Sequence, residues 1–137
     1  MSEIITDKLT GKTSAGDVTI TDGSATMQLQ QGVAKAWVKY NGTGTIAIDD
    51  SLNVTSLTDS ATGQHSYTFT NNMSSTDFTH IASAGIGSSS TNTFVGVRAY
   101  GIALVTSGVG NNTHVINTAA SSYDASSVAS SNHGDLA

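Results

Sequence analysis

Apolar and polar residues alternate with period two along much of this chain. That spacing turns one face of a β-strand toward a core and the other toward solvent. The clearest run is residues 34–41, where Ala36, Val38 and Tyr40 fall on one side and Lys35, Trp37 and Lys39 on the other. Asn41-Gly42-Thr43-Gly44 then supplies a turn signal. Alternation resumes over 45–57, with Ile46, Ile48, Leu52 and Val54 on one face, and the interrupting Asp49-Asp50 pair predicts a bulge or bend. Residues 58–63 read as a turn, 64–70 as a strand with Tyr67 and Phe69 on one face, and 78–84 as a further strand. Residues 93–106 are apolar on both faces: Phe94, Tyr100, Ile102 and Leu104 against Val95, Val97, Ala99, Ala103 and Val105. This pattern predicts one long strand covered on both sides by a second sheet or a second subunit. Residues 114–118 and 123–131 complete the set, and no proline interrupts it.

Helix signals are nearly absent; 71–77 is the one place where a single helical turn fits. Short strands separated by turns at this spacing predict an all-β protein, an antiparallel, jelly-roll-like β-sandwich. Residues 1–31 differ from the rest. Ile4, Ile5, Leu9, Val18, Ile20, Met27 and Leu29 are scattered among polar residues and glycines, with short strand patterns at 17–21 and 25–30. The expected organisation is an extended N-terminal segment, 1–31, that anchors or oligomerises the chain, followed by a sandwich domain, 32–137.

Composition limits the core. Leu, Ile, Val and Phe make up about a fifth of the chain, the lower edge for independent folding. Charged residues are 11%, less than a disordered chain of low hydrophobicity would carry. Ser, Thr, Gly, Ala and Asn fill the difference, which suits strands and turns. A thin core of small residues implies that subunits bury further surface against each other. The net charge of −5 argues against nucleic acid. Without cysteine there is no disulfide or thiolate zinc site. No basic-then-apolar leader and no membrane-length apolar run occur, so synthesis and folding in a cytoplasm, without membrane insertion, are expected.

Catalytic chemistry finds no motif. There is no nucleophile elbow or phosphate-binding loop, Glu3 is the lone glutamate, and the adjacent Asp49 and Asp50 diverge in a strand. His65, His80, His114 and His133 have no metal-ligand spacing, and the segment 17–23 lacks a calcium loop's oxygen pattern. No enzyme, metal or cofactor is therefore expected. Four side chains stand out as subunit contacts or ligands. Trp37, between Lys35 and Lys39, points away from the predicted core face. It reads as a subunit contact with lysine stems over its edge, or as a stacking surface for a sugar. Arg98, the lone arginine, lies within the two-faced apolar run and calls for a carboxylate partner. The polar stretches 86–93 and 117–131 read as loops able to touch a receptor, or as plain linkers.

The run Gln31-Gly32-Val33-Ala34-Lys35-Ala36-Trp37-Val38-Lys39-Tyr40-Asn41-Gly42-Thr43-Gly44, continued by Ser51-Leu52-Asn53-Val54-Thr55-Ser56-Leu57-Thr58-Asp59 and by 63–73, resembles β-domains of tail-fibre and other virion proteins of phages, especially marine ones. The opening Ile4-Ile5-Thr6-Asp7-Lys8-Leu9-Thr10-Gly11-Lys12-Thr13 and the closing Gly134-Asp135-Leu136-Ala137 are similar to theirs too. The family's last strand is more apolar than residues 126–132 here, which leaves the pairing of that strand open. The resemblance implies no catalytic residues. It implies a virion protein, a fibre or fibre-tip subunit, working as a homo-oligomer with other virion proteins and meeting a host surface, including its glycans. A trimer would let intertwined chains satisfy exposed sheet edges. A capsid decoration protein and a stand-alone carbohydrate-binding module are the alternatives.

Overall fold

The computed structural model describes residues 5–11, 18–85, 95–98, 103–116, 121–122 and 124–137, with the backbone alone at 22, 95–98, 103, 111–116 and 121. Its contacts divide the chain into two units, 1–33 and 34–137.

In the first unit, β1 (Thr19–Asp22) and β2 (Ala25–Gln28) form an antiparallel hairpin. Gly23 turns it at φ 61°, a conformation a side chain would resist. A short helical turn, α1 (Leu29–Gly32), follows where the sequence pattern suggested the strand would run on to Gln30. The Leu29 amide donates to the Val18 carbonyl at 2.7 Å, which turns the chain out of the hairpin. Two strands cannot enclose a core. Ile5 is 86% exposed, Leu9 58%, Ile20 46%, Met27 52% and Val33 48%, so these five apolar side chains stand in solvent.

The second unit is a sandwich of two antiparallel sheets. One has the order β4–β3–β12–β7, built from β3 (Ala36–Asn41), β4 (Ala47–Leu52), β7 (Thr79–Gly85) and β12 (Ser127–His133). The other runs β11–β10–β6–β5, from β5 (Val54–Ala61), β6 (Gln64–Phe69), β10 (Gly108–Ile116) and β11 (Ser121–Ser122). Two further strands, β8 (Val95–Arg98) and β9 (Ala103–Val105), also pair with β10.

Alternation works as expected in β3 and β6. Ala36, Val38 and Tyr40 face inward and are buried, opposite Tyr67 and Phe69. Met73, Phe78, Val109, Ala125 and Val128 complete the core. Phe69 stands edge-on to Tyr67 at 5.9 Å and to Phe78 at 5.8 Å between ring centres, the arrangement aromatic quadrupoles prefer. The bulge predicted at Asp49-Asp50 is present: Lys39 faces Asp50 and Tyr40 faces Ile48, leaving Asp49 as the extra residue.

Three expectations need correction. Residues 45–57 are not one strand. Asn53 adopts φ 56° and carries the chain from β4 in one sheet to β5 in the other. Asparagine tolerates this left-handed conformation, and its carboxamide fixes the corner: Oδ1 accepts from the Asn71 amide at 2.7 Å and Nδ2 donates to the Asn71 carbonyl at 3.0 Å. The run 93–106 contains two strands, β8 and β9, with 93–94 and 99–102 outside the described residues. Leu104 packs on the core, but Val105 on the opposite face is 45% exposed, so the chain itself leaves that side uncovered. The segment 71–77 makes bends rather than a helical turn. Met73 bridges to Leu136, and the Ser74 and Ala137 amides donate to the Asp135 and Asn72 carbonyls at 2.8 and 2.9 Å.

Strand β12 is central, pairing with β3 on one side and β7 on the other. The last strand expected within 123–131 is therefore present, and the loop reading of 117–131 fails over 127–131. The inward residues of β12, Val128, Ser130 and Asn132, are buried. Burying a serine and an asparagine is tolerable only with hydrogen-bond partners. The facing sheet supplies one: Tyr67 Oη lies 2.9 Å from Ser130 Oγ and accepts from Asn132 Nδ2 at 3.0 Å. From β7, His80 Nδ1 lies 2.9 Å from Asn132 Oδ1.

Candidate functional site

The inward set of each strand leaves a defined outward set. Pairing registers align Leu52, Trp37, Ser131 and Ile81 in one row across β4, β3, β12 and β7. The next row is Asp50, Lys39, Ala129 and Ser83. Trp37 is half-buried, flanked by Leu52 at 48% and Ile81 at 59% exposure. The small side chains of Ala129 and Ser131 make β12 low between two taller neighbours. A shallow trough of 220 Å³ results, lined by Ile81, Ala82, Ser83, Ala129, Ser130 and Ser131, beside Trp37. Ser131 Oγ and His133 Nε2, 3.1 Å apart, put a polar pair at its end.

Trp37 thus lies on the outward face, as alternation required. Lys39 shares that face and reaches Asp49 Oδ2 at 3.2 Å. Both partners are about half exposed, so this ion pair adds little stability. Lys35, read as an exposed lysine, is instead buried at 9% exposure. It lies just before β3, where its amide donates to the Asn132 carbonyl at 2.9 Å. A buried stem contributes packing as well as charge. Lys35→Ala is therefore expected to lower the urea midpoint clearly, and Lys39→Ala to leave it nearly unchanged; equal midpoints would contradict this assignment. Arg98 lies in β8, opposite Thr113 and in the other sheet; its side chain is outside the described residues, as is the stretch 86–93.

A second polar cluster gave no signal in sequence spacing. His65 is fully buried in β6, edge-on to Tyr40 at 5.5 Å, with Nε2 3.9 Å from both Asp59 Oδ1 and Asp124 Oδ1. Gly42 admits the imidazole: a Cβ there would come within 2.5 Å of His65 Cε1 and 2.9 Å of the Ala125 carbonyl. Asp124 also accepts from the Gly63 amide at 2.6 Å, closing the strand ends over the ring. Burial lowers the imidazole pKa below its usual 6.5, and the carboxylates of Asp59 and Asp124 oppose that shift. The unfolded chain therefore binds the proton more readily than the folded one. The sandwich is fully stabilised above about pH 6.5 and loses stability as pH falls from there through the folded-state pKa. Urea midpoints at neutral and mildly acidic pH should differ less in His65→Gln than in the native chain. An undiminished difference would assign the acid sensitivity to other groups.

Among the described residues no three His, Cys, Asp or Glu side chains are grouped to hold a metal, and no helix is long and apolar enough to cross a membrane. Comparison with family models, curated proteins and solved structures yields no match. The site that geometry offers is a surface: a flat sheet face with one tryptophan, two exposed aliphatic residues and a trough.

Proposed function

We propose that this chain is a structural subunit of a phage particle, a fibre or fibre-tip protein that works as a homo-oligomer, a trimer by preference. The observation that carries the oligomer is the N-terminal unit, whose Ile5, Leu9, Ile20, Met27 and Val33 are all exposed around a two-stranded hairpin. Scattered surface aliphatics are ordinary, but a unit with no buried core among its described residues needs another surface to rest on. The outward Val105 offers a further uncovered position. The similarity of residues 31–73 to virion β-domains supports the particle.

Two of the sheet edges are poor routes for this assembly. The outer strands β4 and β5 carry register breaks, and β4 bears Asp49 and Asp50 while β5 bears Asp59. Bulges and charges at edges oppose strand addition. Assembly therefore falls to the N-terminal unit, to sheet faces and to the β7 edge, which has neither a register break nor a carboxylate. Among the described residues every core residue lies beyond Val33, so a chain lacking 1–33 keeps its sandwich. That truncated chain is expected to scatter light as a monomer while the full chain scatters as an oligomer. A monomeric full chain would overturn the reading, and an oligomeric truncated chain would move the contact into the sandwich.

A further inference from the structure

We infer that the outward face of the β4–β3–β12–β7 sheet is a binding platform for an extended, neutral polysaccharide chain, with Trp37 as its stacking surface. This deepens the reading of the chain as an attachment subunit and rests on it.

Three features select the ligand. The first is shape. The trough is lined by Ala129 and Ser131 of β12 and by Ile81 and Ser83 of β7, and Trp37 stands on the other side of β12, in one row with Ser131 and Ile81. Trp37 on β3 and Ile81 on β7 are two inter-strand gaps or about 10 Å apart. A shallow surface trough beside an indole suits a chain that lies across the face rather than an enclosed small molecule. The second feature is area. The row from Leu52 to Ile81 crosses three gaps, about 14 Å, and the strands run about 20 Å, giving roughly 300 Å² of flat face. A stable protein partner needs about 800 Å² on each side. A second copy is thus poorly served by this face alone, whereas a few sugar rings are well served.

The third feature is charge and hydrogen bonding. Ser83 and Ser131 in the trough and His133 beside Ser131 supply hydroxyl and imidazole groups suited to sugar hydroxyls. Lys39 is already engaged by Asp49, and Asp50 lies in the same row as Lys39. An anionic polysaccharide would meet carboxylates with the nearby ammonium already taken. A neutral chain meets no such penalty. Its apolar ring faces would rest on the indole and on the Leu52 and Ile81 side chains, both left open by the fold.

Trp37 is the chain's one tryptophan, so intrinsic emission reports on this face alone. The full chain would be titrated with cellotetraose, maltotetraose, laminaritetraose and chitotetraose, with tetragalacturonate as the anionic control. A saturable emission change is expected with at least one neutral tetrasaccharide, at about millimolar affinity and little affected by salt, and a weaker one with tetragalacturonate. Calorimetry with the same sugar should show at least about tenfold weaker binding for Trp37→Ala and a smaller loss for Ile81→Ala, with light scattering unchanged. Circular dichroism checks that both variants fold. No saturable change with any neutral tetrasaccharide would overturn the inference, as would binding that survives Trp37→Ala. An emission spectrum that shifts on dilution of the protein, or on deletion of residues 1–33, would assign the face to a subunit contact and overturn it equally. The oligomeric state is read separately: sugars that fail to bind an intact oligomer remove this inference alone, and a sugar-binding monomer removes the fibre-subunit reading instead.

Discussion

Replacing Gly108 with alanine is expected to unfold the sandwich under conditions where the native chain is stable. Gly108 opens β10 and pairs with Thr68 of β6. A Cβ at this position would run into the Tyr67 carbonyl oxygen and come within 3.1 Å of Thr68 Cα and 3.2 Å of the Tyr67 carbonyl carbon. These are backbone atoms in the centre of a sheet, so no side-chain rotation relieves the clash. Overpacking a core typically costs about 1–3 kcal/mol, and a clash that forces two strands apart costs more. Against the marginal stability of about 5–15 kcal/mol typical of a domain, that is a large share. Gly44→Ala is the control. Gly44 holds φ 65° with nothing within 4 Å of a built Cβ, so its loss is the left-handed strain alone, about 1–2 kcal/mol. Urea unfolding should place Gly108→Ala well below Gly44→Ala. The reverse order would mean that β6 and β10 do not approach in this register.

The second large effect is expected at Asn132. Its carboxamide donates to Tyr67 Oη at 3.0 Å and to the Ala36 carbonyl at 3.4 Å, and its Oδ1 lies 2.9 Å from His80 Nδ1. Asn132→Leu keeps the branched shape, at a larger volume, and removes these bonds. Each polar group left buried without a partner costs about 1–3 kcal/mol, so a loss of about 3 kcal/mol is expected. Tyr67→Phe should cost less, because it takes the hydroxyl partner from Ser130 Oγ while Asn132 Nδ2 keeps the Ala36 carbonyl. The pair is the sharper test. Two variants that share partners are not additive, and the double variant should lose less than the sum of the single losses. Additive losses would mean that the two residues do not interact, and the sheets would then not face each other through this network.

The sequence made the strand faces legible where apolar and polar residues alternate in large side chains. Ala36, Val38, Tyr40, Tyr67 and Phe69 are inward, and Trp37 and Lys39 outward, as period two requires. It concealed the places where a polar residue does the work of an apolar one. Ser130 and Asn132 fall in or beside the run 123–131 that reads as a strand, but nothing marks them as buried, because their partners, Tyr67 and His80, are more than fifty positions away in the chain. Asn53 hid the corner between sheets, because Leu52 and Val54 on either side continue the alternation and only the backbone conformation breaks it. Lys35 falls on the outward side by alternation, but it precedes the strand, where alternation has no force. The candidate face was half legible. Trp37 stood out by itself, but Ile81 and Leu52 join its row only through pairings with distant strands.

Trimer, anchor and platform all depend on the chain being a component of a particle, and electron microscopy of purified particles labelled with a gold-conjugated antibody against residues 34–137 tests that directly. Gold is expected at the tail, on fibres or their tips. Gold distributed over the shell would make the chain a capsid decoration protein, and particles that carry no gold at all would show that the chain is no part of the virion.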